Sequence, residues 1–223
     1  MARTAAIGTQ DFETVITNNY FYVDKTDFIR EWWENGDSVT LITRPRRFGK
    51  TLTISMVEHF FSVRHNKKGN LFSGLNIWER EKYRNLQGTY PVISLSFANI
   101  KESTYETAKE KICQIIADLY IRNRFLKDSG FLAEQDIAYF DGVSKNMPET
   151  DASLSLHKLC DFMQRYYGKK VIILLDEYDT PMQEAYIHGY WNKLVSFIGN
   201  LFHSTFKTNP FLERAIMTGI TRI

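Results

Sequence analysis

"LITRPRRFGKTLTISMVEHFF", residues 41–61, changes its periodicity halfway along, and that change decides the architecture. The run that leads into it, "SVTLIT", is short and apolar with β-branched residues, so it is expected to be a buried strand. After it, Leu52, Met56 and Phe60 recur every fourth residue with Val57 and Phe61 beside them, which predicts a helix from Lys50 to about Val63. Between the two lies a short turn that ends in Gly49, Lys50 and Thr51. A strand that breaks into such a turn and reopens as a helix directs backbone N–H groups and a helix N-terminus at one point, and that point favours an anion.

Each residue of the turn then has a chemical reason to be there. Gly49 lets the backbone approach a phosphate without a Cβ, Lys50 supplies a mobile positive charge, and the Thr51 hydroxyl suits a magnesium ion. Amides from about Arg46 through Arg47, Phe48 and Gly49 to Leu52 are expected to form the cradle. Arg44 stands where a phosphate loop usually has its first glycine. Pro45 has no N–H and biases the residue before it toward extended geometry, so Arg44 is expected to continue the strand. Arg44, Arg46 and Arg47 are expected to serve phosphate binding, with an exposed basic turn as the alternative.

A Gly-Lys-Thr triplet alone is a weak signal; the second half of the argument is "VIILLDEYD", where the most hydrophobic strand of the chain ends in Asp176 and Glu177. In parallel α/β sheets, ligands gather at the carboxyl ends of the strands, so this carboxylate pair and the Lys50 turn are expected to share a crevice. Asp176 would hold magnesium with Thr51, and Glu177 would orient or deprotonate an attacking water. Asp179 is read first as a turn former with Thr180 and Pro181, and second as a metal or arginine partner.

The remainder of the chain alternates regularly. "TDFIREWWENG" reads as a short helix with Asp24 or Thr26 as its cap and Asn35-Gly36 as its stop. A polar stretch over 64–88 leads to the strand "YPVISLSF", followed by a long amphipathic helix in "TYETAKEKICQIIADLYIRNRFL" and an irregular connection over 127–150. "SLSLHKLCDFMQRYYG" is a helix stopped by Gly168; "GYWNKLVSFIGNLFHSTF" is another, before a fourth strand, "RAIMTGI". Strands apolar on both faces, separated by helices, predict an α/β, three-layer, doubly wound parallel sheet.

Composition adds boundaries rather than a partner. With 223 residues and a net charge of +2, the chain has room for one substantial domain and no strong attraction to nucleic acid or anionic lipid. Cys113 and Cys160 sit among apolar residues, which suits buried thiols in a cytoplasmic setting; no signal peptide or membrane span is read. The five histidines lack zinc-ligand spacing, and Trp32 and Trp33 are expected in the core.

Four segments together, "IGTQDFETVITNNYFYVDKTDFI", "LITRPRRFGKTL", "VIILLDEYDTP" and "MTGITRI", resemble the AAA-ATPase-like family of bacterial proteins, and the resemblance covers almost the whole chain. In that family Arg-Pro-Arg-Arg-Phe-Gly-Lys-[Ser/Thr] is the usual phosphate loop. The resemblance implies a P-loop NTPase core with an additional catalytic glutamate and strand order 5-1-4-3-2. By position, Lys50 and Thr51 match the Walker A pair, Asp176 and Glu177 the Walker B pair, and Thr218 a polar sensor for the γ-phosphate or the lytic water. It also implies ATP and Mg2+ as ligands, and a C-terminal restriction-endonuclease-like domain as a frequent companion. Against that pattern the sequence halts after the fourth strand. The organisation expected is a single domain over 1–223, with a helical segment over 1–36 and an incomplete nucleotide-binding core over 37–223.

The function expected is magnesium-dependent ATP hydrolysis, with Lys50, Glu177 and Thr218 as catalytic residues. The alternative is a nucleotide-dependent switch without useful turnover, serving a protein partner or a nuclease-like domain. Direct nucleic-acid binding through the arginine turn ranks below both because the chain is nearly neutral. A small-molecule kinase is disfavoured by Glu177, which points to water as the nucleophile. Asp24, Lys25 and Thr26 are read equally as part of the family-like motif and as a helix cap.

Overall fold

The strand β3, Val171–Asp176, has all six residues buried, because it lies in the middle of a sheet covered on both faces. The structure is a computed structural model that describes residue 4 and residues 8–221. Residues 1–3 and 5–7 of the N-terminal stretch and residues 222 and 223 of the "MTGITRI" segment lie outside the described residues. Four strands, β1 (Val39–Thr43), β2 (Val92–Ser96), β3 and β4 (Leu212–Gly219), form one parallel sheet in the order β1-β4-β3-β2. That is the order 1-4-3-2 within the 5-1-4-3-2 implied by the resemblance.

Side chains alternate across each strand and divide the core in two. Ile93, Leu95, Val171, Ile173, Leu175, Ala215 and Met217 face helices α5 (Tyr105–Arg122), α7 (Glu149–Tyr167), α8 (Thr180–Ile187) and α9 (Trp191–Phe202). Val92, Ile172, Leu174 and Ile216 face α1 (Phe12–Thr17), α2 (Asp27–Asn35) and α3 (Lys50–Phe61). The period of two therefore carries Asp176 and Thr218 onto the α3 side, with Ile172, Leu174 and Ile216 below them.

Several elements depart from the sequence reading. β1 is an edge strand, with Val39 and Leu41 each 37% exposed, so "SVTLIT" is not the buried strand expected of it. Within 127–150 the chain forms helix α6 (Glu134–Gly142), and α7 already begins at Glu149, so that connection is not irregular throughout. The polar stretch over 64–88 holds 3-10 turns and the short helix α4 (Glu81–Arg84), and it buries Leu71, Phe72, Ile77 and Tyr83 in the α3-side core. Asp179, Thr180 and Pro181 start α8 rather than a simple turn; proline is tolerated in the first helical turn, where its missing N–H has no partner to lose. Gly36 and Gly168 end α2 and α7 with φ of 78° and 66°, the left-handed geometry that glycine adopts without penalty.

Trp32 is buried, and Trp33 packs between Phe61, Tyr90 and the Arg214 guanidinium, which lies 4.4 Å above its ring. These contacts fasten α2 to α3 and to the sheet. Cys113 and Cys160 are buried free thiols, pushed up to about 11 and about 12 by burial. Among the described residues no helix is long and apolar enough to cross a membrane.

Candidate nucleotide site

The loop between β1 and α3 takes its shape from two left-handed residues, Arg47 at φ 68° and Gly49 at φ 76°. Arg44 extends β1, as its proline neighbour predicts: its N–H donates to the Gly219 carbonyl at 3.2 Å, continuing the β1–β4 ladder past Thr43. Residues 44–48 are exposed, whereas Lys50 is buried at the first position of α3. The Lys50 ammonium donates to the carbonyls of Arg44 at 2.7 Å and Pro45 at 3.0 Å, which closes the loop over its own lysine.

Across from the loop, the end of β3 is held in a chain of side-chain hydrogen bonds. Thr51 Oγ1 donates to Asp176 Oδ2 at 2.7 Å, and Thr218 Oγ1 donates to Asp176 Oδ1. Asp176 is 4% exposed, so both carboxylate oxygens are engaged in a nearly dry setting. Thr218 is fully enclosed on β4, and its Oγ1 also accepts the Glu177 N–H at 3.2 Å. In this arrangement Thr218 positions Asp176 and the Glu177 backbone, and its hydroxyl is committed to that task.

Glu177 follows β3 directly with φ 51°, a left-handed conformation that costs a non-glycine residue about 1–3 kcal/mol and is concentrated at functional sites. Its half-buried carboxylate accepts the Thr180 hydroxyl at 3.1 Å. Two residues on, buried Asp179 does what neither sequence reading assigned to it. Its Oδ2 accepts the N–H groups of Ile220 and Thr221, the Thr221 hydroxyl and the Gln183 side-chain amide, at 2.8–2.9 Å. It therefore ties the end of β4 to the start of α8.

The sequence-derived residues thus converge: Lys50, Thr51, Asp176, Glu177 and Thr218 occupy the carboxyl ends of β1, β3 and β4, with Arg46, Arg47, Phe48, Gly49 and Leu52 on the loop and first turn of α3. Asp24 and Thr26 separate from Lys25 in what they contact. Asp24 accepts the Thr26 N–H and hydroxyl through Oδ1 and the Asn76 N–H through Oδ2, while Thr26 Oγ1 accepts the Ile77 N–H. Thr26 is the N-cap residue of α2 but makes no side-chain cap bond there. Lys25 is the residue that reaches the loop: its Nζ lies 3.7 Å from where a Cβ on Gly49 would stand. Nothing in the spacing of "VDKT" announces this; the signal was only its adjacency to two anchoring residues.

Among curated proteins, the chain is 28% identical over 179 residues to a protein from Azotobacter chroococcum mcd 1 described as "Uncharacterized protein in vnfD 5'region". The match covers 79% of this chain and 29% of that relative, so the chain spans under a third of the relative's length. No solved structure matches. The family described as "Predicted AAA-ATPase" matches residues 6–223, so this chain, with its parallel β1-β4-β3-β2 sheet, belongs to that AAA-ATPase-like family.

Proposed function

We propose that the chain binds ATP with magnesium and hydrolyses it, as a P-loop NTPase core with an additional catalytic glutamate. The observation that carries this reading is the hydrogen-bonded run from Thr51 through Asp176 to Thr218, which joins the phosphate loop to the strand end that bears Glu177. The residues suit magnesium: the ion keeps several waters, takes one or two protein ligands and shares the substrate's phosphates, and Thr51 and Asp176 provide a hydroxyl and a carboxylate in contact. No group of three or more His, Cys, Asp or Glu residues fit to hold a metal occurs among the described residues, so an all-protein cage is not what this site offers. Bound there, magnesium would neutralise developing charge on the phosphate oxygens.

The protein's own groups do the rest. Loop amides and Lys50 hold the phosphate chain, and Lys50 exchanges its two carbonyl acceptors for phosphate oxygens as it does so. Glu177 exchanges the Thr180 hydroxyl for a water, orients that water and accepts its proton during attack on the terminal phosphorus, while Thr218 holds the Glu177 backbone in place. Glu177→Gln separates binding from chemistry. Calorimetry should show ATP affinity retained, and a phosphate-release assay should show turnover lowered about a hundredfold or more; undiminished release in that variant sinks the role given to Glu177.

A second reading is favoured by one specific arrangement: Lys50 is bound to its own loop and Glu177 to Thr180. In that reading the chain is a nucleotide-dependent switch, and a protein partner or a nuclease-like domain is the recipient of the signal. Tight ATP binding with no phosphate release, with or without such a domain, selects it. Buried free thiols at Cys113 and Cys160 fit a cytoplasmic setting for either reading.

A further inference from the structure

Helices α5 and α7 both end at the amino ends of β2 and β3, at the opposite end of the strands from the phosphate loop. Three aromatic rings stand in solvent there. Phe125 lies in the 3-10 turn Arg124–Ser129 that follows α5, Phe131 just beyond it and Tyr166 in the last turn of α7, and they are 37%, 53% and 39% exposed. The Tyr166 ring centroid lies 5.2 Å from that of Phe125 and 6.0 Å from that of Phe131, so the three form one contiguous surface. Their posture is built in. Leu126 and Leu132 are buried, which turns the ring before each of them outward, and Arg165, paired with Asp136 and Asp161, donates to the Phe131 carbonyl at 3.1 Å.

The charge around these rings is largely of one sign. Residues 122–131 and 165–170 hold six cations and one carboxylate, Asp128. Lys127 is neutralised by Asp141, and Arg165 by its two aspartates, whereas Arg122, Arg124, Lys169 and Lys170 are exposed and make no ion pair among the described residues. Arg64, beyond the end of α3, joins them: its guanidinium donates to the Arg122 carbonyl at 3.3 Å and to Asn123 Oδ1 at 2.8 Å, both uncharged acceptors. The Lys169 ammonium lies 4.7 Å above the Tyr90 ring, again a neutral partner. A basic residue in the last turn of a helix complements the helix dipole, which accounts for Arg122 but not for the exposed rings beside it. The net charge of +2 averages over this face and does not describe it.

We propose that this face binds single-stranded nucleic acid, with unstacked bases on Phe125, Phe131 and Tyr166 and phosphates beside Arg64, Arg124 and Lys170. An acidic peptide would answer the cations and leave the ring faces unused. A duplex keeps its bases stacked inside and offers phosphates alone. Unpaired bases strung on a phosphate chain use both features together. The face is separate from the phosphate loop, and the proposal does not depend on the ATPase reading.

Fluorescence anisotropy of the full chain with a labelled oligothymidylate and a labelled oligouridylate, each of about 15 nucleotides, tests this. Binding to either strand is expected, at least about tenfold tighter than to a blunt duplex of the same length, and the more tightly bound strand identifies the polymer as DNA or RNA. The logarithm of affinity against the logarithm of salt concentration should fall with a slope of about −2 to −3, as about three or four phosphate contacts give. Phe131→Ala should weaken binding about tenfold at an unchanged slope, because it removes a stacking face and no charge; Lys170→Ala should make the slope shallower by about 0.7. Lys170→Glu, at an exposed position, should weaken binding about tenfold and serves if Phe131→Ala misfolds. The proposal is overturned if the unsubstituted protein binds neither strand, if the duplex binds as tightly, or if the Phe131→Ala and Lys170→Glu proteins bind as the parent does. Displacement by polyglutamate as effective as by unlabelled strand also overturns it and assigns the face to an acidic protein.

Discussion

At the end of β3, Asp176 has both oxygens hydrogen-bonded, Thr218 is enclosed, and Asp179 gathers four donors on a single oxygen; in the loop before α3, five consecutive residues are exposed and the one buried cation is held by two carbonyls of that same loop. The first region is organised before any ligand arrives, because burial makes unpaired polar groups costly and both Asp176 oxygens and Asp179 Oδ2 have partners within the protein, although Asp179 Oδ1 has none. The second holds its lysine against its own backbone carbonyls. Hence deletion of the Asp179 side chain should act mainly on folding, and deletions in the loop mainly on binding.

The largest effect expected is on the loop side. Lys50→Ala should reduce ATP affinity by about a hundredfold or more, since it removes a charge-assisted contact worth up to about 3 kcal/mol. The urea midpoint should move little, because the two released carbonyls belong to an exposed turn. A large shift of that midpoint would break the comparison. Next in size is Asp179→Ala, which leaves two backbone N–H groups, a hydroxyl and an amide without their acceptor. A loss of about 1–2 kcal/mol in urea unfolding at unchanged slope is expected. If the stability held and only ATP binding fell, Asp179 would belong with the loop rather than with the scaffold.

The smallest effect tests whether the rest of the α3-side core behaves as scaffold. His65 stacks on His59 with ring centroids 4.2 Å apart; burial, then the neighbouring His59 and Lys68, bring its imidazole down to about 4 from an ordinary 6.5. Between those values the unfolded chain binds the extra proton, so this contribution is complete above about pH 6.5 and is lost as pH falls toward about 4. Urea midpoints at about pH 7 and about pH 5 should therefore differ less in His65→Gln than in the parent protein. Glu13 works in the opposite electrostatic sense nearby, held below the usual carboxylate range by its Lys68 hydrogen bond. An unchanged pH difference in the variant would remove His65 from this account.

How far the sequence was legible follows the same division. β3 was plain because burial on both faces leaves an unbroken apolar run, and the loop was plain because Gly-Lys-Thr falls where a strand period becomes a helix period. β1 misled because six apolar-rich residues look alike in the centre and at the edge of a sheet; exposure there is decided by neighbours, not by the strand itself. Helix α6 buries only Phe140, too little to print a period, and α8 begins with Asp-Thr-Pro, which reads as a turn until the helix behind it is known. Lys25 was beyond reach for a different reason: its place at the loop depends on Asp24 and Thr26 bonding to Asn76 and Ile77, some fifty residues away.

Gly219 has a consequence for reading related sequences. A Cβ placed there would stand 2.7 Å from Asp179 Oδ1 and 2.7 Å from the Tyr178 ring, although the two residues are forty positions apart in the chain. An aspartate three places after the strand-ending Asp176 and a bare glycine after Thr218 therefore form one long-range word, not two short motifs. A sequence that keeps the aspartate but puts any side chain at the glycine has to rebuild the joint between β4 and α8.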